Sequence, residues 1–315
     1  ALLVFLFDFT SFGVILVLGG PRLSTLEVEI YNQTVGLFNL PLAAALSILQ
    51  LGCTLLLTVL YTRLSGRLSR PISLRPRRQT AQRLRGPRRR LAASALVALL
   101  LLLMITPLLA LTLRSFVRFD PAPGPSGQAT AALTLEAYRE LWVNRQGSAF
   151  YVPPTTAMGV SLAYAAATVG LSLALGLPAA WALAYRPESG ASRLFDPLLL
   201  LPLGTSAVTL GLGFIVTLNR PPLDLRASPL LVPLAHTLVA LPFVVRSLTP
   251  ALRSIRPRLR QAAAVLGADP LSVTTRIDLP LVGRALLVAA AFAFTISLGE
   301  FGATALVARP DHPTV

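Results

Sequence analysis

Apolar runs of about 20 residues, long enough to cross roughly 30 Å of hydrocarbon as helix, recur along this 315-residue chain. They fall near 1–18, 41–61, 91–113, 157–185, 195–218, 230–246 and 285–308. The pattern predicts seven membrane helices. The opening run has neither an initial methionine nor a basic leader, so it reads as a helix continued from upstream rather than a signal peptide. The run at 230–246 is the weakest, being short and carrying His236 and Pro242. Between the runs, 62–90 combines arginine with Ser, Pro, Gln and Gly without hydrophobic period and reads as a solvated, disordered linker. In 114–156, a turn-rich stretch from Asp120 to Pro125 precedes an expected short helix, Leu133–Val143, with Tyr138 and Trp142 suited to the interface.

Composition agrees with a bilayer: 54% of residues are hydrophobic, 13% are charged, and the mean hydropathy is +0.68. A net charge of +15 would suggest a nucleic-acid partner in a soluble chain, but here the charge is confined to loops between spans, and no nucleic acid is expected. The positive-inside rule then sets the orientation. Segments 62–90, 186–193 and 246–284 hold eleven, two and seven of the 28 arginines and become cytoplasmic, against an anionic lipid leaflet. The intervening loops, 19–40, 114–156 and 219–229, and the stretch from 309 on become external.

All the basic residues are arginine, so the chain cannot supply the lysine of a Walker A phosphate loop. Cys53 stands alone in an apolar run, excluding a cysteine zinc site or an internal disulfide. No arrangement suggests an enzyme, and no cofactor is expected. His236 and His312 read as satisfied or solvent-facing histidines, and the glycines at 159, 170, 176, 204, 211 and 213, with Pro178, as sites of close packing and kinks.

The chain also repeats itself. Phe5, Phe12, Gly13, Pro21 and Thr25 match Phe294, Phe301, Gly302, Pro310 and Thr314 at a constant offset of 289. Six crossings separate the first and seventh spans, so the repeat is parallel. The expected organisation is 1–61 as the tail of a first unit, 62–90 as linker, and 91–315 as a second unit lacking its closing helix.

Two features carry candidate chemistry. Asp8 and Glu300 lie within apolar spans, where a carboxyl is costly and therefore a functional candidate. By the repeat, Ser297 stands opposite Asp8 and Ser11 opposite Glu300, which makes these four residues a candidate translocation path. Their packing reading is that each carboxyl caps a broken helix or meets an arginine. The second feature is cytoplasmic. Residues 258–266 favour helix, Gly267 suits a C′ position with positive φ, Asp269 can cap a following helix, and Pro270 fits its first turn. Ile277 and Pro280 are expected to end that helix. Leu266, Val273 and Ile277 form an apolar stripe suited to docking in a groove.

At this point a resemblance enters. Gln261, Ala262, Ala263, Gly267, Ile277, Leu279 and Pro280 stand at the spacing of the EAA motif of ABC importer permeases, with Gln261 in place of the usual glutamate; the resemblance implies that these residues, with Leu266, Ala268 and Val273, dock the ATPase. Residues 10–31 and 297–304 resemble the corresponding parts of the fused, two-unit permeases of the ferric-iron and thiamine group. The resemblance implies an all-α polytopic helical bundle in the bacterial inner membrane. It also implies a separate, homodimeric ATPase gripping the EAA loop, an extracytoplasmic solute-binding protein, and thiamine or ferric iron as solute. The residues alone leave open a proton-coupled secondary transporter working through Asp8 and Glu300.

Overall fold

A computed structural model describes residues 12–20, 23–68, 86–119, 131–143, 152–185, 198–199, 201–202, 205–218 and 228–307. Its elements in chain order begin with α1 (Gly13–Leu18), α2 (Leu26–Tyr31, continued by a wide π turn at Asn32–Gly36), α3 (Leu40–Leu68) and α4 (Pro87–Phe116). There follow β1 (Val117–Phe119), β2 (Ala131–Leu133), α5 (Glu136–Glu140), α6 (Pro154–Tyr185), α7 (Ala207–Thr217) and α8 (Leu231–Arg253). The chain continues through α9 (Pro257–Val265), α10 (Pro270–Val273), α11 (Leu279–Leu281), α12 (Gly283–Gly299) and α13 (Gly302–Val307). The protein is an all-α polytopic membrane protein. Among the described residues, α3, α4, α6 and α8 are long and apolar enough to cross a membrane, and the bent pair formed by 270–281 and 283–299 makes up to five spans.

The chain divides into two compact units, residues 1–68 with 155–315, and residues 69–154. The smaller unit is built on α4, a helix of 30 residues with no buried position. At 1.5 Å per residue it is about 45 Å long, more than a bilayer core requires. Its C-terminal end runs into a two-stranded antiparallel ribbon pairing Val117 with Leu133 and Phe119 with Ala131. The Tyr138 hydroxyl then sits 2.8 Å from Ser115 Oγ.

The larger unit has its main core where α8 packs on α12. Ala240, Val244, Val245, Leu248 and Leu252 from α8 meet Ala289 and Ala293 of α12, with Ala180 and Leu183 from α6 closing the third side. Small residues allow the backbones to approach, and this is the usual device where lipid supplies no hydrophobic drive. A second cluster joins Phe12, Val28, Ile30, Ala43, Val208 and Leu212. It is pinned by a polar chain in which Gln50 Nε2 donates to Glu27 Oε1 at 3.0 Å and Thr209 Oγ1 donates to Gln50 Oε1 at 3.4 Å, linking α2, α3 and α7.

Several expectations change here. The run at 230–246 is 23 residues of helix with twelve buried positions, the reverse of a weak span, because Pro242 and Pro250 are accommodated inside it. In the run at 195–218, residues 198–199 and 201–202 are helical and α7 adds eleven residues, roughly 17 Å of rise; the continuity of the run lies outside the described residues. The run at 285–308 is helix broken at Glu300 and Phe301. Segment 19–40 is no open loop, since α2 packs into the second cluster with Glu27, Val28 and Ile30 buried. Within 62–90, residues 62–68 and 87–90 are helical, and the expected disorder of 69–85 lies outside the described residues. The helix expected over Leu133–Val143 shortens to α5, because Leu133 is drawn into the ribbon. Pro178 sits inside α6 without ending it. Gly211 packs against Leu306 and Ala303, whereas Gly159, Gly170 and Gly213 meet nothing within 4 Å and Gly204 lies outside the described residues.

Candidate functional site

The segment between α8 and α12 is built residue by residue for a tight double turn. Arg256 is extended, and Pro257 supplies the fixed φ that starts α9. The helix ends in a Schellman turn: Ala268 N–H donates to the Ala263 carbonyl and Gly267 N–H to the Ala264 carbonyl, both at 3.0 Å. Gly267 has φ +79°, where a side chain would be strained. Asp269 then caps α10, its Oδ2 accepting from Ser272 N–H at 3.2 Å, and Pro270 takes the first helical position. Hydrogen bonds from Ser272 hold the exposed Asp269 carboxyl below the usual carboxylate range.

Beyond α10 the helix does not stop at Ile277 and Pro280. It widens into a π turn at Thr274–Asp278, continues through Pro280 in α11, and bends by 72° into α12. Pro280 is the second residue of α11 and offers no N–H to the carbonyls of the π turn before it. Of the expected stripe only Leu266 stands fully clear, at 87% exposed, while Val273 and Ile277 are half-buried. Val265 and Leu271, not anticipated, are exposed to 87% and 71% and complete an apolar tip around Gly267. Gln261 and Ala262 are exposed beside it, Ala263 and Ala268 are half-buried within the turn, and Leu279 and Pro280 are exposed behind it.

One side chain of α9 points the other way. Arg260 Nε donates to Asp278 Oδ1 at 2.8 Å, and its Nη2 donates to Asp278 Oδ2. The guanidinium lies over the Tyr185 ring, 3.6 Å from the centroid. Asp278 is buried. The pair was missed because its members are 18 residues apart. The available signal was Asp278 itself, which with Asp269 is one of two acids between Arg246 and Arg284.

The second region is the helix break. Glu300 leaves the helical conformation at φ −82°, ψ 97°. Its Oε1 accepts from Gly302 N–H at 2.9 Å and Ala303 N–H at 3.3 Å, so the carboxyl caps α13. The break lines two cavities, of about 290 and 530 Å³. Ser161, Tyr164, His236, Ser297 and Thr304 share the smaller one with Glu300, and Phe12, Glu27, Ser206, Phe243 and Phe301 share the larger. His236 is satisfied on both ring nitrogens, by Ser297 Oγ and Thr304 Oγ1 at 2.8 Å each, and Ser297 Oγ also donates to Thr168 Oγ1 at 3.2 Å. Asp8, Ser11 and His312 lie outside the described residues. Glu27 had not been singled out, because a Glu in a short segment between apolar runs looks solvated until its partner Gln50, 23 residues away, is placed beside it.

The offset of 289 reappears as geometry. α1 begins at Gly13 and α13 begins at Gly302, which are equivalent positions. The equivalent rings of Phe12 and Phe301 stack on each other, with centroids 5.6 Å apart and planes inclined at 25°.

Comparison with known proteins gives relatives along most of the chain, although no family model matches. The thiamine transport system permease protein ThiP of Brucella abortus is 30% identical over 307 residues, covering 96% of this chain and 51% of that protein. ThiP of Escherichia coli is 28% identical over 320 residues, covering 100% of this chain and 54% of the relative. The molybdenum transport system permease protein ModB of Mycobacterium tuberculosis is 37% identical over 159 residues, 47% of this chain and 60% of the relative. The chain spans about half the length of the ThiP proteins it matches.

Proposed function

We propose, from the premise that the relatives of this chain are transport-system permeases, that it is the tail of the first unit and most of the second unit of a two-unit ABC importer permease in the bacterial inner membrane. Solute arrives from an extracytoplasmic binding protein, and a separate ATPase dimer drives the cycle through the loop 257–281. Thiamine is the proposed solute, favoured over ferric iron because the relatives that match nearly all of the chain are thiamine permeases. The chain itself is a transport subunit, and ATP is hydrolysed by its partner.

The observation that carries this reading is the apolar tip at Val265, Leu266 and Leu271, held on a Schellman turn at one end of the bundle. An apolar projection of that size in water is unfavourable unless it fits a groove. Coupling at that tip also explains why the chain needs no Walker A lysine. The experiment is co-purification from detergent of the full-length permease with a Walker A ATPase. Retention of the ATPase is expected; a permease isolated repeatedly without one would contradict the reading.

The parallel repeat supports a duplicated permease, with residues up to 61 belonging to the first unit and 91–315 to the second, joined by the arginine-rich linker. Its support is the equivalent starts of α1 and α13, at Gly13 and Gly302. Ser297 and Glu300, with Asp8 and Ser11 by the repeat, are proposed to border the solute path at the helix break. Glu300→Gln keeps an oxygen for the α13 cap and removes only the charge. Solute uptake is expected to fall about five-fold or more with ATPase association intact, and unchanged uptake would remove Glu300 from the path.

A further inference from the structure

The docking tip can transmit force only if something stiff connects it to the membrane helices. Its two arms, α9 and the 270–281 segment, are short, and the apolar residues at the tip face away from the bundle. The Schellman turn fixes the arms relative to each other at the tip. It does nothing for their base.

The base is where Arg260 meets Asp278. Arg260 is on the incoming arm, seven residues before Gly267, and Asp278 is on the outgoing arm, in the π turn just before the 72° bend into α12. A two-pronged guanidinium–carboxylate contact fixes orientation as well as distance, which a lysine cannot do. Asp278 is 2% exposed, so salt does little to weaken the pair. Beneath it lies Tyr185 of α6. Its ring carries the guanidinium, and its hydroxyl donates to the Leu252 carbonyl near the end of α8 at 2.8 Å. A reciprocal bond from Arg253 Nη2 to the Leu183 carbonyl, at 2.9 Å, ties α8 back to α6. α6, α8 and both arms of the loop are therefore joined in one network through Arg260, Tyr185 and Arg253.

The composition of the segment sharpens the point. Arg256, Arg258, Arg276 and Arg284 share the stretch with Arg260, yet among the described residues the ion pair to Asp278 is made by Arg260. Asp269, the other acid, is used as a cap.

We propose that Arg260, Asp278 and Tyr185 form a strut that positions the docking element and carries its movement into α6 and α8, so that removing it uncouples ATP hydrolysis from transport without detaching the ATPase. This inference rests on the docking reading above. The three are positioning residues, since they act through the helices they join and not on solute.

The test uses the full-length permease with its ATPase and binding protein in proteoliposomes, with thiamine as the probe. Asp278→Asn is expected to leave ATPase co-purification within two-fold of wild type while thiamine imported per ATP hydrolysed drops at least ten-fold. Arg260→Lys, which keeps the charge but loses the fork, should be intermediate. If Asp278→Asn reduces the amount of folded permease, Tyr185→Leu probes the strut from beneath with the ion pair intact, and a three-fold or greater loss of import per ATP is expected. Import per ATP equal to wild type in both variants would overturn the proposal. So would equal loss of docking and import, which would mark the residues as ordinary stabilisers of the loop. A wild-type permease that holds no ATPase would overturn the docking reading and this inference together.

Discussion

Gly267→Val is expected to release the ATPase and abolish ATP-driven uptake. At φ +79° a β-branched side chain collides with its own backbone, at a cost of about 1–2 kcal/mol. To escape, the residue must leave the left-handed region, and the bonds from Gly267 N–H to Ala264 and from Ala268 N–H to Ala263 go with it, each worth about 1 kcal/mol. Either way the cost is about 1–2 kcal/mol, as strain or as lost bonds, and a nine-residue helix joined to a four-residue helix has little to set against it, so the tip loses its shape. Space is no obstacle, because nothing lies within 4 Å of a Cβ built there. The fault is purely conformational, and Gly267→Asn, which tolerates the left-handed region, should retain most of the docking. Co-purification of the ATPase measures both variants. Full retention by the valine variant would separate the turn from docking.

Gly176→Leu is expected to prevent stable folding of the larger unit. A Cβ at Gly176 would stand 2.6 Å from Val244 Cγ1, a distance that real side chains do not adopt. Val244 is fully buried in the α6–α8–α12 core and has nowhere to move. Overpacking costs about 1–3 kcal/mol or more, and the gain in helix propensity over glycine, about 1 kcal/mol, does not offset a whole leucine. Gly170→Leu is the control, since nothing lies within 4 Å of that position. Thermal unfolding in detergent, followed by monodispersity, should show a much lower midpoint for the first variant and none of that loss for the second. Equal midpoints would contradict the packing described here.

These two glycines mark the range of what the sequence makes legible. Gly267 was readable because its role is local: an alanine-rich helix before it, then Asp269 and Pro270 after it, leave few conformations for the residue between. The helices α3, α4 and α6 were readable as crossings for the same reason, since a long apolar run needs no partner to be recognised as one. Gly176 was readable only as one of several packing glycines. What separates it from Gly159 and Gly170 is Val244, nearly 70 residues away, and no local pattern encodes that contact. The same holds for Arg260 with Asp278 and for Glu27 with Gln50. Each is a polar pair whose members look solvated until the fold joins them. The helix break at Glu300 was legible as one reading of the buried carboxyl, a cap on a broken helix, and Glu300 does cap α13, although the run at 285–308 by itself reads as one span. The extended pairing at 117–133 depended on two three-residue segments too short to carry a period.

The measurement that bears most directly on the account is solute uptake by vesicles containing the full-length permease, its ATPase and its binding protein. With ATP supplied on the ATPase side and no ion gradient, thiamine is expected to accumulate inside the vesicles only when the binding protein is present outside. Accumulation driven by a proton gradient, without ATP and without the ATPase, would contradict it and point back to the intramembrane carboxyls as the engine.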